Sequence, residues 1–91
     1  MMYNIRMSTA FKKDLKLAKK RGLDITELNV VVKMIAEGCT LDSKYKDHAL
    51  SGNWAGYREC HIEPDWLLVY RIDGKELILY LVRTGTHSDL F

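Results

Sequence analysis

Residues 57–70 constrain the fold more than any other stretch of this chain. Two segments of strand-like character flank Pro64-Asp65, a pair suited to a tight turn, because proline presets φ at the first corner and aspartate bonds its own backbone. Successive side chains of a strand point to opposite faces, so Tyr57, Glu59, His61 and Glu63 share one face of the first segment, and Arg58, Cys60 and Ile62 the other. The second segment alternates Trp66, Leu68, Tyr70 and Ile72 with Leu67, Val69 and Arg71. A strand this apolar on both faces belongs inside a sheet. The hairpin is therefore expected at the sheet's centre, with His61 on a polar face close to the turn.

The flanking segments supply helices to cover one face. Tyr3, Ile5 and Met7 alternate with Asn4 and Arg6, which predicts a short strand, and Ser8 or Thr9 can cap the helix that follows. That helix is expected to reach about Arg21. Phe11, Leu15 and Ala18 recur at helical spacing with Leu17 beside them, and Gly22 can end the helix in a left-handed conformation. Asp24-Ile25-Thr26-Glu27 announces a second helix, with Asp24 as cap and Glu27 placed to complete a capping box. Leu28, Val31, Val32 and Ile35 form its inner stripe, and Gly38 closes it. Residues 39–53 read as irregular except for a short strand within 46–50. After the hairpin, Asp73-Gly74 predicts a two-residue turn, and 77–83 a last strand that stops at Thr84-Gly85. The result is an α+β fold: two antiparallel helices packed on one face of a four- to five-stranded, mainly antiparallel sheet, whose other face stays partly open for a site.

With 91 residues, 47% of them hydrophobic, and no Pro- or Gly-rich linker, the chain can build one core, so residues 1–91 are read as a single domain. No signal-peptide pattern opens it, and no apolar run approaches the roughly 18 residues of a membrane span, which predicts a cytoplasmic protein without membrane contact. Cys39 and Cys60 stand 21 positions apart, a spacing that fits neither a disulfide framework nor a zinc knuckle, so reduced and mostly buried thiols are expected. The formal charge of +2 hides an asymmetry. Ten of the fourteen basic residues lie in 1–50, and Lys12, Lys13, Lys16, Lys19 and Lys20 crowd the first helix with Asp14 as the one acid among them. Such a face is either a solvated helix surface or a footprint for a phosphate backbone.

The histidines, His48, His61 and His87, all lie in or beside turns and strand ends. If 57–63 pairs with 66–72, and that segment with 77–83, the stretches before the hairpin and after the last strand flank the same sheet. Its open face can then collect all three imidazoles. With Arg83 and a lysine-rich rim, such groups suit cleavage of RNA by its own 2′-hydroxyl: one takes the 2′ proton, positive charge steadies the phosphate, and another protonates the leaving 5′ oxygen. That chemistry needs no metal and no cofactor. A metal site from His48, His61, Asp65 and His87 is the competing reading, but no His-x-His or His-x3-His spacing supports it. Trp66, in an apolar strand, reads as core, whereas Phe91 has no later element to cover it and is available to stack on a base.

Four motifs occur together: Tyr45-Lys46-Asp47-His48-Ala49-Leu50, Trp54-x-Gly56-Tyr57-Arg58-Glu59-Cys60-His61, Pro64-Asp65-Trp66-Leu67-Leu68-Val69-Tyr70, and Arg83-Thr84-Gly85-Thr86-His87-Ser88-Asp89-Leu90-Phe91. In this combination the chain resembles the YafQ-type branch of the RelE/ParE toxin superfamily over essentially its whole length. The resemblance implies a RelE-like fold in which the first strand pairs with the last. It implies an mRNA interferase of a bacterial type II toxin–antitoxin pair: a metal-independent endoribonuclease that cuts messenger RNA in the ribosomal A site. It further implies a cognate, DinJ-like antitoxin as inhibitor, the ribosome and mRNA as partners, and contact with operator DNA only through the antitoxin complex. The family's site positions fall on His48, His61, Asp65, Trp66, His87 and Phe91, with Ala49 where a proline is common, and by analogy the helix lysines grip ribosomal RNA. Within that site, His87 on a mobile tail is expected to be the general acid and His61, oriented by Asp65 across the turn, the base. His48 positions or shares either role, and Arg83 steadies the phosphate. The alternative is a ParE-like relative that inhibits DNA gyrase by binding, against which three imidazoles argue; a nuclease or RNA-binding domain acting without the ribosome is a further one.

Overall fold

The strand richest in apolar residues takes the middle of the sheet. In the computed structural model, which describes residues 2–91, the elements follow in the order β1 (Asn4–Met7), α1 (Thr9–Lys20), α2 (Ile25–Ala36), β2 (His48–Ala49), β3 (Arg58–Glu63), β4 (Trp66–Asp73), β5 (Ile78–Gly85) and α3 (His87–Leu90). Single 3₁₀ turns occupy Ser43–Tyr45 and Gly52–Trp54. The spatial order is β1-β5-β4-β3-β2; β1 pairs parallel with β5, and the other neighbours are antiparallel. A parallel pair cannot be joined by a tight turn, and α1 and α2 lie in the long connection between its strands. The first strand therefore pairs with the last, as the resemblance implies.

Both long helices begin and end where the sequence predicts. Ser8 caps α1 by accepting the Phe11 N–H at 2.9 Å, and its hydroxyl donates to the Val82 carbonyl at 2.7 Å, tying the helix start to β5. Gly22 follows α1 with φ +77°, a conformation that a Cβ would strain. Asp24 caps α2 through the Thr26 N–H at 2.9 Å. The reciprocal Glu27 bond of a full capping box is not formed; the Glu27 carboxyl instead neighbours Glu63, and desolvation and that like charge push its pKa up. Phe11, Ala18, Leu28, Val31, Val32 and Ile35 are buried against Cys60, Ile62, Trp66, Leu68, Tyr70, Leu79 and Leu81, so both helices cover one face of the sheet. Leu67 and Val69 are also fully buried, yet they point to the other face, outside that core.

Three local expectations are corrected. The turn after β4 spans four residues rather than two: the Asp73 carboxylate accepts the N–H groups of Lys75 and Glu76 at 3.0 and 3.1 Å, winding the chain until Leu77 turns left-handed at φ +56°. As a result β5 starts at Ile78 and Leu77 is exposed. At its other end β5 runs on through Thr84 and Gly85, because the buried Thr84 hydroxyl accepts the Trp66 indole N–H at 2.9 Å and donates to the Leu67 carbonyl at 2.7 Å. The thiols also differ from expectation: Cys60 is buried, its pKa pushed up to about 12 mainly by burial, but Cys39 is exposed. Among the described residues no helix is long and apolar enough to cross a membrane.

Candidate active site

Sheet register assembles the site. On β3, Glu59 and His61 project from the face away from the long helices. β2 sets His48 directly opposite Glu59. β4 and β5 pair Leu67 with Gly85, and two further residues along each strand Asp65 comes opposite His87. The imidazoles converge: the His61 and His87 ring centres lie 5.7 Å apart, and the Nε2 atoms of His48 and His61 each lie 3.7 Å from Glu59 Oε1. Beside His61 opens a cleft of about 570 Å³ whose walls include Lys44, Tyr45, Lys46, Glu63 and Pro64.

Each ring is mounted by its Nδ1. In His48 that atom lies 2.8 Å from the Lys46 carbonyl, in His61 3.1 Å from the Pro64 carbonyl, and in His87 2.8 Å from Asp65 Oδ1. A carbonyl or carboxylate oxygen only accepts, so Nδ1 carries hydrogen in all three rings and Nε2 is the nitrogen left to gain or lose a proton. Two of these partners differ from expectation. Asp65 orients His87, not His61, accepting both its ring and its backbone N–H, the latter at 3.1 Å. These bonds hold the Asp65 carboxyl below its ordinary pKa. The C-terminal tail is likewise no loose end. Thr86 and Asp89 form a capping box that starts α3, Arg21 holds Asp89 through bonds of 2.6 and 3.2 Å, and the Phe91 ring meets Trp54 edge-on at 5.6 Å.

Glu59 is the site residue that sequence reasoning did not assign. Alternation already placed it on the His61 face, but its meaning depended on the β2 pairing that brings in His48. Its side chain is 8% exposed. Asp47 is a second omission, and it works from behind the site: the Tyr70 hydroxyl and Arg58 Nη2, the latter at 3.0 Å, both donate to its carboxylate, anchoring the turn that carries His48. Burial, then this bond, raises the Tyr70 pKa.

Two expected site residues lie elsewhere. Trp66 is 2% exposed and packs in the helix-side core, with its N–H bound to Thr84, so it offers no face to a base. Arg83 is bound to Asp14 of α1 through Nε at 2.7 Å and Nη2 at 3.1 Å, and Asp14 also accepts the Thr84 N–H at 3.1 Å. Its charge is neutralised there, on the helix that covers the opposite face. Phe91 is 56% exposed at the rim, and Lys12, Lys13, Lys16, Lys19 and Lys20 are all exposed on α1.

Known proteins share the fold that carries this arrangement. The family described as bacterial toxin of type II toxin–antitoxin system, YafQ, matches residues 3–91. The mRNA interferase toxin YafQ of Escherichia coli K12 is 43% identical over 89 residues, covering 97% of this chain and 95% of that protein. Among solved structures, the E. coli DinJ–YafQ toxin–antitoxin complex superposes with a TM-score of 0.89 at 40% identity, covering 100% of this chain and 99% of that one. A metal-bound toxin from Helicobacter pylori superposes with a TM-score of 0.94 at 49% identity over 99% of this chain and 100% of its own. The relatives are named as mRNA interferase and antitoxin-bound toxins, so the ParE-like alternative has no support. The chain belongs to the YafQ family of bacterial toxins of type II toxin–antitoxin systems.

Proposed function

We propose that this toxin is an endoribonuclease that cleaves mRNA in the ribosomal A site by attack of the RNA's own 2′-hydroxyl, without a metal. The observation that carries this reading is the common mounting of the three imidazoles, each with Nδ1 fixed and Nε2 free. His61, beside the nearly buried Glu59, takes the 2′-hydroxyl proton, and Glu59 stabilises the imidazolium that results. The 2′ oxygen bonds to phosphorus, the bond to the 5′ oxygen breaks, and His87 delivers a proton to that oxygen. Asp65 accepts the His87 Nδ1–H and so holds the ring with Nε2 forward for that transfer. His48, on the other side of Glu59, shares that carboxylate and positions the base. The products are a 2′,3′-cyclic phosphate and a 5′-hydroxyl end. Phe91, exposed four residues beyond His87, and Tyr45, which lines the cleft with His61, are aromatic surfaces on which unpaired bases can stack.

The metal-bound relative makes a metal fit worth testing. Glu59, His61 and His87 offer ligand atoms within 4.8 Å of one another, so these residues fit an ion, which would supply Lewis-acid polarisation of a phosphoryl oxygen. In the proposed reaction the proton transfers belong to the side chains alone.

The partners follow from the same reading: the ribosome and mRNA as target, a DinJ-like antitoxin as inhibitor and the only link to operator DNA, and the α1 lysines as the contact with ribosomal RNA, all within the cytoplasm. A cell-free assay tests it. Metal-free toxin should cut mRNA bound on programmed ribosomes and leave the same mRNA intact in solution; equal cutting of both, or of neither, overturns it. Charge reversal at Lys16, Lys19 and Lys20 should lower ribosome co-sedimentation and flatten its salt dependence.

A further inference from the structure

We propose that the open face of the sheet carries a second binding surface, a groove lined by Arg6, Lys12, Tyr57, Arg71 and Tyr80, and that it holds the single-stranded mRNA on the 3′ side of the cleaved bond. The identity of the strand rests on the nuclease reading above; the groove's affinity for single-stranded RNA does not.

Sheet register builds the groove. Arg6 of β1 stands opposite Tyr80 of β5, and Tyr80 opposite Arg71 of β4. Arg58 pairs with Tyr70, so one step further along this antiparallel ladder Tyr57 comes level with Arg71. The strand neighbours Ile5, Leu79 and Tyr70 belong to the helix-side core or pack against it, and alternation turns Arg6, Tyr80 and Arg71 to the other face. Cation and aromatic ring thus alternate in one row across the sheet. Lys12 of α1 adds a third positive charge to the same groove, which has a volume of about 610 Å³.

Three observations select a single-stranded nucleic acid. First, the charge has no internal partner. Of the five arginines, Arg21, Arg58 and Arg83 are each bound to an aspartate. Among the described residues Arg6, Arg71 and Lys12 form no ion pair, and no acidic side chain lines the groove. Cations placed in this way suit a phosphate backbone. Second, the Arg71 guanidinium carbon lies 4.4 Å from the Tyr80 ring centre. That contact positions the cation over the ring and leaves its N–H donors for phosphate oxygens, while the tyrosines offer ring faces to unpaired bases. Third, the groove continues from the imidazoles. Tyr57 and His61 share one face four residues apart, roughly 13 Å, so a strand held at His61 reaches the groove within a few nucleotides. This continuity favours mRNA over ribosomal RNA, whose helices present phosphates but no unstacked bases. On the ribosome the codon 5′ of the A site is paired with tRNA, which leaves the 3′ side as the unpaired strand.

The test compares Arg6→Gln, Arg71→Gln and Tyr80→Leu with the parent toxin on programmed ribosomes, using a long mRNA and one that ends at the A-site codon. On the long mRNA each substitution should raise KM at least about fivefold and leave kcat in place, as loss of uniform binding does. On the short one the parent should show the raised KM and the variants no further change. Free toxin should also bind a short single-stranded RNA in fluorescence anisotropy, and each arginine substitution should flatten the log–log salt dependence by about 0.7. Arg6 is exposed, so Arg6→Gln should melt like the parent and decides the matter if Arg71→Gln does not fold. A KM raised equally on both mRNAs would make the groove a ribosomal RNA contact, and an unchanged KM on the long mRNA would leave it without an RNA role; either result overturns the proposal. Failure of the nuclease reading is seen separately, as a parent that cuts neither mRNA. Anisotropy then still decides the groove, and RNA affinity unchanged by Arg6→Gln overturns it.

Discussion

His48 and His87 approach Glu59 and His61 from the two flanks of β3, each with Nε2 forward, yet their supports are unlike. His48 follows Asp47, which Tyr70 and Arg58 bind from β4 and β3, so its backing is part of the sheet. His87 sits on a four-residue helix held by Asp65, by the Arg21–Asp89 pair and by the edge of Trp54, all at the surface. Exposed ion pairs and rim contacts contribute little individually, and segments held only by them open far more readily than the sheet. The comparison teaches that the proposed base lies on the floor of the sheet and the proposed acid on a short element held by contacts at the surface.

The largest expected effect tests the floor. Trp66 fills the core and its N–H is bound to Thr84, so Trp66→Ala should cost about 3–5 kcal/mol, a large share of the stability of so small a domain. Chemical denaturation reads the loss. A variant with parental stability but no cleavage would return Trp66 to the site and undo the division between floor and tail.

Removing the acid should do the reverse. The His87 side chain is 56% exposed, so His87→Ala should melt like the parent while cleavage slows by at least about 10²-fold. His61→Ala should slow cleavage comparably, and the double mutant should lose less than the product of the two if both serve one transition state. Full toxicity of His87→Ala at equal expression would remove His87 from the chemistry.

A smaller effect is expected from the His48 support. Tyr70→Phe deletes one hydroxyl and leaves part of the Asp47 carboxylate unpaired, at about 1–3 kcal/mol of stability. If Asp47 positions His48, kcat should fall while KM holds, and His48→Ala should make the Tyr70 substitution silent in kcat. Unchanged kcat in folded Tyr70→Phe would show that this support serves stability alone.

What could be read from the sequence divides along the same line. The stripes of α1 and α2, the hairpin and the polar face with His61 follow from residues within one or two helical turns or strand pleats of each other, where periodicity carries the signal. The site's bonds run between residues far apart in the chain. Asp65 was assigned to His61 because they are four positions apart, but the β4–β5 register gives it to His87, 22 positions on. Arg83 was read as a free cation because Asp14 lies 69 positions away. The tail looked mobile because a helix of four residues is too short to show a period, and its anchor Arg21 is 68 positions from Asp89. Glu59 was visible on the correct face; only the pairing with His48 made it part of the site.

The smallest expected effect is also the one that isolates the tail. Arg21 and the Thr86 N–H hold the Asp89 carboxyl well below the usual carboxylate range, and His87 lowers that of Asp65. A carboxyl whose folded pKa lies below its unfolded value of about 3.9 contributes stability that is complete above that value and disappears as pH falls through the folded one. Between pH 5 and pH 2.5, then, the closed tail should lose its advantage, because Asp65 and Asp89 take up protons first in the opened state, where their pKa values are ordinary. The amides of Leu90 and Phe91, which bond to Thr86 and His87, should lose hydrogen-exchange protection over that range by about fivefold at most, as befits exposed pairs. Amides of β4 and β5 should keep theirs. Asp89→Asn should reproduce much of the loss at pH 5 and reduce its pH dependence at Leu90 to the share that Asp65 contributes. If instead the tail and sheet amides lose protection together, α3 opens only with the whole protein, and the distinction between a fixed base and a detachable acid fails.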